Sequence, residues 1–128
     1  MPGYLIDTNI LIDALRRKRG RWELLSGLVF ADGSLGCSAV TVAELYSGMK
    51  GHESARTEEL LSAFHHYPVT TEIARKAGLL KNVWATRGQI FSLPDMMIAA
   101  TAIAHDLILV TANGKDFPMT ELRLYPLD

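Results

Sequence analysis

Four acidic side chains stand where the sequence passes from one pattern to another: Asp7 after Tyr4-Leu5-Ile6, Glu44 in Thr41-Val-Ala-Glu44, Asp95 in Ser92-Leu-Pro-Asp95, and Asp116 in Asn113-Gly-Lys-Asp116. Each alone has an ordinary structural use. An aspartate ahead of a helix caps it by accepting a first-turn N–H, both Ser/Thr-x-x-acid stretches fit the capping box, and an aspartate in a turn needs no special reason. Gathered in one place, however, carboxylates repel one another and raise one another's pKa unless a cation neutralises them. Oxygen ligands without a partnered Cys or His select a hard cation, Mg2+ or Mn2+, over a structural zinc. Such an ion makes a nucleophile of bound water and stabilises charge on a phosphoryl group. The chemistry within reach is metal-dependent hydrolysis.

The elements that would gather these acids can be read from hydrophobic spacing. Tyr4-Leu5-Ile6 is a short strand, and Ile10, Leu11, Ala14 and Leu15 follow at helical spacing. A second helix is expected from Arg21 to Ala31 with Trp22, Leu25, Leu28 and Val29 on one stripe, then a short strand at Leu35-Gly36-Cys37. Ser38 or Thr41 opens the next helix, which runs through Val42, Leu45 and Met49 to Gly51. Helical patterns over Ala55–His66 and Thr71–Arg87 flank a candidate strand at Tyr67-Pro68-Val69. Met96–His105 reads as an apolar helix, Leu107–Val110 as an aliphatic strand covered on both faces, and Leu122–Tyr125 as a last strand. Short aliphatic strands alternating with helices imply parallel pairing with helices on both sides. Asp7 and Asp116 would then follow strands at their carboxyl ends, with Glu44 and Asp95 in first helical turns. Those positions meet at the crevice where open α/β sheets bind ligands.

Composition sets the outer bounds. The 128 residues, 48% hydrophobic, suffice for one core, so a single domain over 1–128 is expected. Thirteen basic and 14 acidic residues give a formal net charge of -1. That balance speaks against a protein that holds nucleic acid by phosphate contacts alone, and leaves open one that grips phosphate through metal. The single Cys37 excludes an internal disulfide. The start lacks a basic leader and Met96–Ala104, the longest apolar run, is too short for a bilayer, so a cytoplasmic location away from membranes is expected. His52, His65, His66 and His105 read as solvated or structural. Arg16-Arg17-Lys18-Arg19, followed by Arg21, is the one dense basic run, open to two readings: an RNA guide, or a solvated helix terminus.

Four segments in order carry a resemblance: Leu5-Ile6-Asp7-Thr8-Asn9, Thr41-Val-Ala-Glu44-Leu45, Pro94-Asp95 through Ala102, and Val110-Thr111-Ala112-Asn113-Gly-Lys-Asp116-Phe117. Over essentially its whole length the chain resembles a PIN domain, in particular the VapC-type toxins of toxin–antitoxin pairs. The resemblance implies a three-layer α/β/α fold with a short central parallel sheet. It implies a ribonuclease in which Asp7, Glu44, Asp95 and Asp116 hold Mg2+ or Mn2+, with Asn9, Thr111 and Asn113 as auxiliary groups. It further implies a homodimer and a cognate antitoxin whose tail fills a groove beside the site. Trp22, Leu25 and Phe30 are candidates to line that groove, although core packing is the expected role of each. Gln89, where a basic residue is common in the family, and Pro94, directly before Asp95, are departures that bear on substrate contacts.

Two other functions fit parts of this pattern. A phosphatase of the haloacid-dehalogenase type also ends its first strand on Asp but wants a second Asp two residues later, where this chain has Asn9. A non-catalytic binding module would use the acid pocket as a docking site only.

Overall fold

A computed structural model describes residues 3–127; Met1 and Pro2, part of the start read above as carrying no leader, and Asp128 lie outside the described residues. The elements are β1 (Gly3–Ile6), α1 (Thr8–Leu15), α2 (Arg21–Phe30), β2 (Ser34–Ser38), α3 (Ala39–Gly48), α4 (Ser54–Ser62), β3 (His65–Tyr67), α5 (Thr71–Ala85), α6 (Leu93–Ala104), β4 (Ile108–Val110) and β5 (Arg123–Leu124). Short 3-10 turns lie at Gly51–Glu53 and Gly114–Asp116.

The strands form one sheet in the order β3-β2-β1-β4-β5, and every neighbouring pair is parallel. Successive strand residues face opposite sides, so Leu5 and Leu109 pack against α5 and α6 while Ile6 and Val110 join α1 to α4. Both faces are therefore covered. This explains why β1 and β4 read as continuous apolar runs without alternation, and the result is the expected three-layer α/β/α arrangement. The chain first builds outward from β1 through β2 to β3, then returns to the other side of β1 for β4 and β5. At that reversal the connections leaving β1 and β4 diverge, opening a crevice at the carboxyl ends of the two central strands.

Several boundaries differ from the sequence reading for identifiable reasons. The helix expected to reach His66 stops at Ser62, because His65, His66 and Tyr67 pair with Gly36, Cys37 and Ser38. The strand thus precedes Pro68, which has no N–H to give a ladder. Helix α6 begins at Leu93, with Ser92 accepting from the Asp95 N–H and Pro94 in the first turn, where a proline is tolerated. Helix α3 begins at Ala39 because Ser38, not Thr41, caps it. Val29 and Phe30 leave the packing stripe of α2: Phe30 is 94% exposed.

The end of α1 is tied to the 3-10 turn after α3 by Arg16, whose Nε and Nη2 donate to the two carboxylate oxygens of Glu53 at 3.1 and 3.2 Å. Glu53 also accepts the Lys50 N–H at 2.8 Å. Hydrogen bonding from Arg16, followed by that from Lys50, lowers the Glu53 carboxyl from 4.5 to about 2. A depressed carboxyl stabilises the fold above its unfolded value and loses that contribution as pH falls through the folded value. The urea midpoint of wild type should therefore exceed that of Glu53→Gln at neutral pH, and the gap should close between pH 4.5 and about 2. A gap that stays constant over that range would show that the ionised pair is not its source.

Candidate active site

Asp7 sits at the mouth of the crevice because β1 ends there: its N–H donates to Val110 O on β4 at 2.9 Å, and its side chain caps α1 by accepting Thr8 N–H at 2.8 Å. The cap that explains Asp7 structurally uses only Oδ1. Oδ2 accepts from Thr111 Oγ1 at 2.7 Å and from Asn9 Nδ2 at 3.2 Å. Thr111 in turn accepts the Asn113 N–H at 3.0 Å, and Asn9 Oδ1 accepts the Ala112 N–H at 3.2 Å. The first turn of α1 and the loop after β4 are thus stitched together around one buried carboxylate, 4% exposed.

Glu44 reaches the same place from α3. It lies past the first helical turn, so the capping-box position expected for it is not the one it occupies. Thr8 Oγ1 is 2.7 Å from Glu44 Oε1 and 3.1 Å from Thr41 Oγ1. A hydroxyl has one proton; Thr8 gives its own to the carboxylate, so Thr41 donates to Thr8. Thr41 and Glu44, three residues apart, share a helix face, which puts the fully buried Thr41 beneath the acid it helps to hold. Thr8 and Thr41 are the functional candidates that sequence reasoning missed. The available signal was a threonine next to one acid and another three residues before the second.

Asp95, in the first turn of α6 as expected, is partly buried. Asp116 ends the 3-10 turn after β4, its N–H bonded to Asn113 O at 2.9 Å. Burial, the largest cause, raises the Asp7 carboxyl above its ordinary 3.8; the Thr111 and Thr8 bonds lower it, and the charges of Asp95 and Glu44 raise it further. Burial likewise leads the rise at Asp95, opposed by Ser92 and reinforced by Asp116 and Glu44. The four acids therefore feel one another across one crevice. None of them is paired with Lys or Arg among the described residues.

They do not yet converge on one point. Among the described residues, no group of three or more Asp, Glu, His or Cys is close enough to grip a common ion. The Thr8 hydroxyl occupies one oxygen of Glu44. The donor set itself, all oxygen and without a compensating cation, suits a hard divalent ion. Asn113 contributes its backbone to Thr111; its exposed side chain makes no hydrogen bond to these acids among the described residues.

The sequence pattern of the PIN domain family matches residues 4–121. The chain belongs to the PIN-domain family. Ribonuclease VapC10 of Mycobacterium tuberculosis is 40% identical over 119 residues, which span 91% of this chain and 87% of that protein. Among solved structures, that of VapBC2 from Rickettsia felis bound to a DNA fragment from their promoter superposes with a TM-score of 0.86 at 26% identity, covering 98% of this chain and 99% of the other. A toxin–antitoxin complex from Klebsiella pneumoniae superposes with a TM-score of 0.76 at 31% identity, over 94% of this chain and 99% of the other. In this PIN domain the match runs from β1 to the residues just before β5 and includes every acid described above.

Thr111 holds the ionised form of Asp7, so an isosteric Thr111→Val change should raise the Asp7 pKa further. Losing a hydrogen bond to a charged group costs about 1.5–3 kcal/mol. That loss should appear in urea unfolding at neutral pH and shrink once Asp7 is protonated; an equal loss at both pH values would assign it to packing.

Proposed function

We propose that this PIN domain is an endoribonuclease, the toxin of a toxin–antitoxin pair, which hydrolyses RNA phosphodiester bonds at a Mg2+ or Mn2+ site formed by Asp7, Glu44, Asp95 and Asp116. The observation that carries the reading is the placing of these uncompensated carboxylates around the β1/β4 crevice, near enough for their charges to act on one another, in a chain similar over nearly its whole length to a VapC ribonuclease. A divalent ion bound there would lower the pKa of a water and screen charge on the phosphate. The protein's own part is orientation. Thr8 N–H, Thr111 and Asn9 fix both oxygens of Asp7, and Thr8, steadied by Thr41, fixes Glu44. Groups locked by their neighbours need little reorganisation when substrate arrives. Glu44 and Asp116 are the carboxylates suited to accept the water's proton.

The reading extends to partners. Trp22, Leu25, Val29, Phe30, Leu60 and Phe64 line a groove of about 360 Å³ between α2 and α4. Phe30 stands in water at its edge, an exposure that suits an apolar antitoxin segment laid against it. Leu79 and Val83, 55% and 46% exposed and one turn apart on α5, form a second apolar surface that suits a homodimer. Among the described residues no helix is long and apolar enough to cross a membrane, in keeping with action on RNA in the cytoplasm.

Asp7→Asn and Asp95→Asn should each lower Mn2+-dependent cleavage of RNA by at least about a hundredfold, and EDTA should abolish wild-type cleavage. At a hundredfold excess over its dissociation constant, Mn2+ should stabilise the wild-type fold by about 2.7 kcal/mol. That is a thermal shift on the order of 10 °C for a chain this size, absent in Asp95→Asn. Full activity in both variants would sink the assignment. Phe30→Ser should weaken antitoxin binding about tenfold or more while leaving cleavage by the free toxin intact; unchanged antitoxin affinity would place the groove elsewhere.

A further inference from the structure

The basic run after α1 does not act as a unit. Arg16 is engaged by Glu53, and Arg19 Nη1 donates to both oxygens of Asp13 at 3.2 Å. The Arg17 guanidinium lies 3.9 Å over the Trp22 ring. Arg21 is different. It is partly buried, and its Nε is out of reach of solvent with no hydrogen-bond partner among the described residues. Its side chain lines a recess of about 300 Å³ together with Thr111, Ala112, Gly114 and Tyr125. Thr111 is the residue whose hydroxyl holds Asp7, so the recess shares a wall with the acid crevice.

We propose that Arg21 is a ligand for a backbone phosphate of the RNA, neighbouring the phosphate that is cut. Three observations lead there. Among the described residues the Arg21 side chain makes no hydrogen bond or ion pair, and with Nε closed off from solvent its outer guanidinium nitrogens are the donors a ligand in the recess would meet. The guanidinium presents planar donors that match a phosphate. The acids next door carry no paired Lys or Arg, so a polyanion threading past them needs a cation from elsewhere, and Arg21 is the member of the basic run that shares a recess wall with them. The recess would take the sugar-phosphate chain beyond the cut, making Arg21 a substrate-positioning group for the reaction at Asp7. This assignment rests on the ribonuclease reading.

The test uses the full chain and a fluorescein-labelled single-stranded RNA oligonucleotide in Mn2+ buffer. Arg21→Gln should raise KM about tenfold while kcat stays within about twofold, the mark of a contact made equally in substrate and transition state. The slope of log affinity against log salt should fall by about 0.7, the increment for one phosphate contact on a single strand. Replacing single phosphates of the oligonucleotide by neutral methylphosphonates should identify one linkage whose neutralisation weakens wild type but not Arg21→Gln. That non-additivity cannot come from a folding defect. Arg17→Gln, stacked away on Trp22, should match wild type throughout. Unchanged KM and salt slope in Arg21→Gln, or equal methylphosphonate sensitivity in both proteins, would overturn the proposal. So would weakened antitoxin binding with RNA parameters unchanged, which would give Arg21 to the protein partner. If wild type cleaves no RNA, the ribonuclease reading fails on its own; anisotropy with the same oligonucleotides still reads the salt slope and the methylphosphonate comparison, and so decides Arg21 separately.

Discussion

A carboxyl group is buried at the point where two parallel strands part, and most of the local structure follows from satisfying it. Asp7 is almost out of water, and burial pushes its carboxyl toward the neutral form. Hydrogen bonds from Thr8, Asn9 and Thr111 push back. Those donors come from the first turn of α1 and the loop after β4, so the bonds that satisfy Asp7 also tie these two segments together. The sheet order supplies the rest: only at the β1/β4 reversal do two central strands release their chains in different directions.

How much of this could be read in advance depended on whether a residue's role was local. Asp7 and Asp95 sit at strand or helix ends, which composition marks well, and they lie where the spacing placed them. Glu44 was assigned to a first turn because Thr41 looked like a cap. Ser38 wins that role because β2 ends on it in extended geometry, with its side chain free to accept the Val40 N–H. Thr41 was then available for burial against Thr8, a contact between residues 33 apart that no window of sequence reveals. The same limit hid β3. His65 and His66 continue a helical pattern locally, but β2 needs a neighbour on its outer side, and tertiary pairing overrides the propensity of three residues.

The basic run, open to two readings in the sequence, shows the converse case, in which a local signal is strong and its meaning is not. Consecutive cations suggest one electrostatic surface, yet Arg17 and Arg19 adopt left-handed backbone conformations, φ 54° and 56°. A chain that turns so sharply points its side chains in different directions. Arg16 and Arg19 end in ion pairs with Glu53 and Asp13, and the run breaks into separate roles. Charge counted along the sequence overstates what reaches one partner.

The unpaired acids also tie the stability of the fold to pH. Asp7 and Asp95 both hold protons more tightly than an unfolded chain does. As pH rises from 3.8 through their folded values, stability is lost and is not regained at neutral pH. A cation that neutralised the cluster would recover that loss, so ion binding and folding are linked in the same direction. The hydrophobic layers on both sides of the sheet hold the acids in place, with Leu5, Ile6, Leu109 and Val110 fully buried beside the crevice. A rigid apolar frame can hold repelling charges at a cost in stability that a bound cation would offset.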